Sequence, residues 1–238
     1  MKLKKWSVYL IVGILLVITT LLTSVEIIAF NVNYYRNSFE KNNISEITGI
    51  DQENLEYVIK DMLKYLKNDK KSLDTKAVVN GEEREVYNER EKLHMVDVKQ
   101  LFVEGVILRN FSFYLLLALI LILIKKDKLW KINISKTLLY TGIVNNLILA
   151  LFLLLISIDF NKYFTYFHLI FFNNDLWILN PKTDILIQLV PEQFFFDTAS
   201  KIIIVFAGTL TLLAVIGFII LKMQSKRKSI VRELTNKV

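Results

Sequence analysis

The chain has 238 residues, 53% of them hydrophobic, and a formal net charge of +7 from 30 Lys and Arg against 23 Asp and Glu. It contains no cysteine, which excludes disulfides, thiolate metal sites, a cysteine nucleophile and lipidation on cysteine. The apolar residues gather in four blocks, each long enough to cross a bilayer at about 20 residues per span, so the composition is not that of an ordinary soluble domain.

The first block, WSVYLIVGILLVITTLLTSVEIIAF, covers residues 6–30. In lipid only helices and closed barrels satisfy their own backbone groups, and this run lacks two-residue alternation, so a helix is expected. Although MKLKK precedes it, the apolar core exceeds the roughly 7–15 residues of a secretory signal, and no small-residue cleavage site follows. Residues 1–30 therefore read as a cytoplasmic N-terminus and a retained membrane anchor.

Residues 31–97 read as a small extracytoplasmic α+β insertion. IDQENLEYVIKDMLKYLKN suits an amphipathic helix with Asp51 as N-cap. Its apolar stripe is Ile50, Leu55, Val58, Ile59, Met62, Tyr65 and Leu66. In AVVNGEEREVYN, Asn80-Gly81 between extended runs predicts a type I′ hairpin. Lys70, Lys71 and the acidic run 82–91 read as solvated faces. From Glu89 the helical pattern resumes in EREKLHMVDVKQLFVEGVILRN and runs into a second membrane helix over 98–124, whose apolar block is 107–124. His94 and Asp97, three apart, share one face of that helix.

A basic loop, 125–137, holds Lys125, Lys126, Lys128, Lys131 and Lys136 against one acid. The third membrane helix covers 138–158, where Asn145 and Asn146 read as interhelical contacts. Residues 159–200 are rich in aromatics: Phe160, Tyr163, Phe164, Tyr166, Phe167, Phe171, Phe172 and Trp177. Such residues favour the membrane interface, so this segment is expected to lie at the outer headgroup layer or to re-enter it. Asn180-Pro181-Lys182-Thr183 is turn chemistry, with Asp184 as cap of the short piece ILIQLV. Pro191 opens the last helix, and Glu192 lies near its positive end. The fourth membrane helix covers 201–222, leaving 223–238 as a tail. The fold class expected is thus an all-α, four-span membrane protein with a helix-plus-hairpin insertion.

Short basic flanks remain in the cytoplasm. The N-terminal Lys2, Lys4 and Lys5, the 125–137 loop and the tail (Lys222, Lys226, Arg227, Lys228, Arg232 and Lys237 against Glu233) fall on one side when the chain crosses four times. The positive charge thus reads as topology and anionic-lipid contact, not nucleic-acid binding. Both termini are expected inside, and both histidines, His94 and His168, outside.

Each histidine sits in a polar cluster within apolar surroundings, HMVDVKQ and HLIFFNND. Polar groups near the hydrocarbon boundary are costly, which points to function or to mutual satisfaction. Imidazole takes and gives protons near neutral pH. Asp97 is well spaced to fix a histidine tautomer, and Asp175 is a second candidate. No serine neighbours either histidine in a nucleophile context. What these residues suit is a reaction whose substrate brings its own nucleophile and electrophile, since orientation alone supplies up to about 7–11 kcal/mol. Two other readings stay open: a metal-dependent membrane hydrolase with zinc on His94, Asp97, His168 and Asp175, and a non-enzymatic membrane binding protein.

The phrases LHMVDVK (93–99) and FHLIFFNNDLWILNPKTDILIQLVPEQFF (167–195), with the order anchor, outer domain and remaining helices, resemble the bacterial lipoprotein intramolecular transacylase (Lit) family. The resemblance spans nearly the whole chain. It implies movement of the sn-2 acyl chain of a diacylglyceryl-cysteine lipoprotein to the α-amino group of the same cysteine, with no cofactor and no metal. The implied catalytic pair is His94 and His168. Asp97, Lys99, Asn174, Asp175, Trp177 and Glu192 are supporting or substrate-binding candidates, and diacylated lipoproteins and membrane lipids are the implied partners. At Asn180 the chain departs from the aspartate common in the family, so no charge is carried over there.

Overall fold

The computed structural model describes residues 5–235, with side chains up to Arg227. Lys2, Lys4 and Lys237 lie outside the described residues, as do the side chains of Lys228, Arg232 and Glu233. Four helices are long and apolar enough to cross a membrane: α1 (Lys5–Ala29), α5 (Glu89–Lys126), α6 (Trp130–Ile158) and α9 (Glu192–Thr235). Between α1 and α5 lie α2 (Val32–Lys41), α3 (Ile44–Thr48), α4 (Gln52–Leu66) and a hairpin of β1 (Lys76–Val79) and β2 (Glu82–Glu85). Between α6 and α9 lie α7 (Phe160–Phe171) and α8 (Ile185–Leu189).

The chain divides into two compact units. One takes the residues up to Ser24, Leu108–Leu155 and the chain from Ile202. Here Tyr9, Val12 and Leu15 of α1 pack with Leu116 and Leu123 of α5. Helices α6 and α9 approach closely at glycines. A Cβ on Gly142 would lie 2.6 Å from the Ala214 Cβ and 2.7 Å from the Leu210 carbonyl oxygen, and one on Gly217 would lie 2.5 Å from the Ser135 carbonyl oxygen. Helices in lipid gain from such backbone approach because no hydrophobic force drives them together. Of the two asparagines expected between helices, Asn146 Nδ2 donates to Thr211 Oγ1 of α9 at 3.0 Å, whereas Asn145 Nδ2 donates to the Thr141 carbonyl of its own helix at 2.9 Å. Leu147, Ile148, Leu151 and Leu154 of α6 are exposed, a surface suited to hydrocarbon.

Helix α6 starts eight residues before the apolar block 138–158, so most of the loop expected over 125–137 is helical. The cause is Asp127. It is buried, accepts from Leu129 N (3.1 Å), Asn133 Nδ2 (2.9 Å) and Tyr9 Oη (2.8 Å), and pairs with Lys5 (3.3 Å). The carboxylate holds Leu129 N just before α6 and the Asn133 side chain in its first turn, and the Asp127 carbonyl accepts from Trp130 N at 3.0 Å, so the helix begins at once.

The second unit takes Val25–Ile107 and Ile156–Lys201. Its core joins the α4 stripe (Leu55, Val58, Ile59, Met62, Tyr65, Leu66) to Phe39, Ile44, Val79, Tyr87 and Leu189. Asp51 caps α4, accepting from Asn54 N at 2.8 Å. The hairpin turns through Asn80 (φ 55°) and Gly81 (φ 87°), the positive angles a type I′ turn requires. Helices α2 and α3 were not apparent in the sequence pattern. Helix α2 depends on Asn31, whose side chain accepts from Tyr34 N, and on burial of Tyr34, Tyr35 and Phe39.

Candidate active site

Helix α5 opens with a reciprocal cap. Glu91 N donates to Asn88 Oδ1 (3.0 Å), and Asn88 N donates to Glu91 Oε2 (2.6 Å), so two orphan donors are satisfied together. The same carboxylate accepts from Leu186 N at 2.6 Å, bonding the start of α5 to the start of α8. Asp184 adds to this bond set. It accepts from Asn88 Nδ2 (3.0 Å) and from Asn180 N (2.7 Å), where the sequence suggested a plain helix cap; its side chain makes no cap bond to α8. Glu91 was read as part of a solvated acidic run. It is 1% exposed, and its S/T/N-x-x-E spacing after Asn88 was the signal that could have revealed it.

One turn beyond Glu91, α5 presents His94. From the other sequence segment, α7, capped by Asp159 through Lys162 N at 3.0 Å, presents His168 in its last turn. The two rings lie 6.3 Å apart between centroids, at 35°. Each histidine is 7% exposed. His168 stacks on Trp177 (4.7 Å, 25°) and is flanked by Phe164, Phe167 and Phe172 at 4.3, 5.4 and 5.6 Å. Phe172 also meets His94 edge-on at 5.3 Å.

Protonation follows from the partners. His168 Nδ1 lies 2.7 Å from the Phe164 carbonyl oxygen. A carbonyl only accepts, so Nδ1 carries the hydrogen and Nε2 keeps its lone pair. His94 Nδ1 is buried without a hydrogen-bond partner. The apolar block of α5 begins only at Ile107, so His94 precedes the membrane-spanning part. Burial holds its imidazole down to about 4, the nearby His168 adding to the effect and Asp97 opposing it. Burial also holds His168 below its ordinary value, against the Phe164 bond. Both rings are neutral at pH 7.

This has a consequence for stability. A histidine that is harder to protonate when folded than when unfolded binds its proton preferentially in the unfolded chain. Stability is therefore intact above about pH 6.5 and falls as pH drops towards about 4. For His94 the loss reaches on the order of 3 kcal/mol. Thermal unfolding in detergent across pH 7.5 to 4 is expected to show this decline, and His94→Phe to flatten it. An equal slope in that variant would remove His94 as its source.

The other candidate residues divide. Asp97 does not bond to His94; its Oδ2 accepts from Asn174 Nδ2 at 2.8 Å. The spacing of three puts both on one helix face, but the loop from α7 supplies a better donor to the carboxylate. Asn174 also accepts from Trp177 Nε1 at its carbonyl (3.0 Å) and from Leu176 N at Oδ1 (3.0 Å). Asp175 turns outward: Arg90 donates to its carbonyl oxygen and pairs with its carboxylate at 3.5 Å. Lys99 leaves the site, donating to the Lys70 carbonyl at 2.8 Å and lying 4.3 Å over the Tyr65 ring. Glu192 is exposed and accepts from Asn161 Nδ2 at 3.1 Å. Among the described residues no three His, Asp or Glu side chains converge as a ligand set, so the geometry does not assemble the zinc site considered for the hydrolase reading. The arrangement provides two neutral imidazoles facing across an aromatic enclosure.

A family model described as lipoprotein intramolecular transacylase Lit matches residues 10–195, a span that contains both histidines. No curated protein matches the chain. The solved structure of the membrane-integral lipoprotein intramolecular transacylase Lit from Bacillus cereus is similar over 92% of this chain and 96% of that one, with 20% identity and a TM-score of 0.74. A variant of the same Bacillus cereus protein, with a histidine replaced by alanine, gives 21% identity and a TM-score of 0.70 over 92% and 94% of the two chains. At these identities the structural likeness is one of fold.

Proposed function

The chain belongs to the lipoprotein intramolecular transacylase family, and from that premise we propose that His94 and His168 handle the protons of its acyl transfer. It is a membrane-integral acyltransferase whose substrates are lipoproteins. The observation that carries the role of the pair is the 6.3 Å approach of the two imidazoles, with His168 fixed in one tautomer by Phe164.

In the reaction proposed, the α-amine of the lipid-bearing cysteine attacks the carbonyl of the sn-2 ester on the same residue. The N–C bond forms, a tetrahedral oxyanion results, and the ester C–O bond then breaks. One proton leaves the nitrogen and one reaches the glyceryl oxygen, so neither water nor cofactor is consumed. His168 Nε2, the ring atom with the free lone pair, takes the amine proton and delivers it to the leaving oxygen. A general base of this kind contributes about 10²–10⁴-fold. His94 lies across from it and donates its N–H to the oxyanion. Because both rings are held neutral, the base form persists below pH 6.5. Intramolecular attack needs chiefly that amine and ester be held together, and the rings around His168 provide a surface against which acyl chains can lie.

Both termini belong on the cytoplasmic side and the histidines on the extracytoplasmic side, supported by the basic flanks at Lys5, at Lys125 to Lys136 and at Lys222 to Arg227. Exposed apolar residues of α7 and the following loop, Leu169, Ile170, Phe171 and Ile178, suit contact with the outer monolayer. Asp97, Asn174 and Trp177 support the site, whereas Lys99, Asp175 and Glu192 serve the surrounding structure.

The test is mass spectrometry of a lipoprotein N-terminal peptide after coexpression with this protein. The product is an isomer of the substrate, so the parent ion does not move. Fragmentation is expected to place one acyl chain on nitrogen, and the free amine to be lost to labelling reagents. Unchanged fragments and a fully reactive amine, with the protein folded in the membrane, would rule the activity out.

A further inference from the structure

We infer that Asp97 is a positioning residue for His168, acting through Asn174 and Trp177 rather than on the histidine nearest to it in sequence. The inference rests on the proton-transfer role given to His168 above. Residues 172–184 contain neither helix nor strand, so no backbone ladder sets the plane of Trp177 within them. What sets it is a chain of bonds that starts on α5. Asp97 Oδ2 accepts from Asn174 Nδ2 (2.8 Å). The Asn174 carbonyl accepts from Trp177 Nε1 (3.0 Å), and its Oδ1 closes a local turn with Leu176 N. Every polar group of Asn174 that these bonds use is committed to holding the loop in one shape. The Trp177 ring then lies against His168 at 4.7 Å and 25°.

At its edge the imidazole is tied by Nδ1 to the Phe164 carbonyl of its own helix. The hydrogen bond and the Phe164, Phe167 and Phe172 rings restrict the imidazole, and the near-parallel indole adds the contact that sets its tilt. Asp97 thereby transmits the rigidity of the α5 backbone to the base. His94, three residues away, draws no bond from this carboxylate: its Nδ1 is unpartnered, and Asp97 is engaged elsewhere.

Stacking supplies a readout that needs no substrate. Protonated imidazole quenches an indole stacked on it, so Trp177 emission reports the His168 ring. The other tryptophans, Trp6 and Trp130, are removed by Trp6→Phe and Trp130→Phe, neither of which touches the site. In this background, full-length purified protein in detergent is compared with its Asp97→Ala and Asp97→Asn variants, using a synthetic diacylglyceryl lipopeptide for turnover. Asp97→Ala is expected to lower kcat about 10-fold with KM unchanged. It is also expected to change Trp177 emission and shift the pH midpoint of its quenching. Asp97→Asn retains an acceptor oxygen and is expected to restore both. Asn174→Ala breaks the same bond from its other end and predicts the same pair of changes should Asp97→Ala fail to accumulate. Emission and quenching midpoint identical to the parent in Asp97→Ala, or an Asp97→Asn variant as impaired as Asp97→Ala, would overturn the inference. Because the fluorescence is read without substrate, that result leaves the role of His168 standing. An active His168→Ala variant removes that role without bearing on the bond chain.

Discussion

Replacing His168 with alanine is expected to lower acyl transfer by about 10²–10⁴-fold while leaving the protein folded. An ammonium nitrogen has no lone pair to attack with, and the nitrogen that has attacked must shed a proton before the intermediate can collapse forwards. His168 Nε2 is the proposed base: its tautomer is fixed by the 2.7 Å contact of Nδ1 with Phe164, and burial disfavours the protonated ring. Alanine removes the lone pair and opens a space beside Trp177 and Phe172, but buries no new charge. His94→Ala is expected to be comparably severe, because a single removed oxyanion donor costs about 10²–10³-fold in other acyl-transfer enzymes. The double variant is expected to be little worse than either single one, as for groups that act as a unit. The measurement is the initial rate at which a synthetic diacylglyceryl lipopeptide loses its free amine. A His168→Ala rate within a factor of ten of the parent would assign the base elsewhere.

Glu91→Ala is expected to be the most destabilising single change near the site. Its carboxylate is 1% exposed and receives Asn88 N and Leu186 N, both at 2.6 Å. Alanine leaves the buried Leu186 N–H without an acceptor, at about 1–3 kcal/mol, and removes the cap bond from the exposed Asn88 N, at about 0.5–2 kcal/mol. A loss of about 2–5 kcal/mol corresponds to roughly 5–15 °C in thermal midpoint for a chain of this size. Burial raises the pKa of this carboxyl, while the bonds from Leu186 and Asn88 oppose the rise. Glu91→Gln keeps one acceptor oxygen and turns an amide nitrogen towards a donor, so an intermediate loss is expected. Differential scanning fluorimetry in detergent separates the three proteins. Equal midpoints for parent and Glu91→Ala would show that the bonds between α5 and α8 carry no net stability.

Much of this architecture is written locally. Hydrocarbon runs longer than any core helix needs marked α1, α5, α6 and α9. Asn80-Gly81 marked a hairpin because few other pairs accept two positive φ angles. Asp51 marked the start of α4 through a bond only three residues long. The histidines stood out because polar groups in an apolar stretch are expensive. What escaped the sequence depends on partners distant along the chain. Asp97 faced a choice between His94 and Asn174, 77 positions on, and spacing alone favoured the wrong one. Glu91 looked solvated beside four other acidic residues until Leu186, 95 positions away, claimed it. The early start of α6 was hidden for a related reason: residues 130–137, a mix of polar and apolar types, are helical because Asp127 collects donors from α1 and α6 together. Lys99 lay in the most recognisable motif yet serves the Tyr65 side of the second unit.

An activated acyl carbon next to a basic imidazole is as open to water as to an amine, and attack by water would release a fatty acid and leave the lipoprotein stripped. Phe164, Phe167, Phe172 and Trp177 border the His168 ring, and under the role proposed for that ring an apolar border favours an acyl chain over water beside the reacting carbon. On that proposal the aromatic border biases the exchange towards rearrangement and against release of fatty acid.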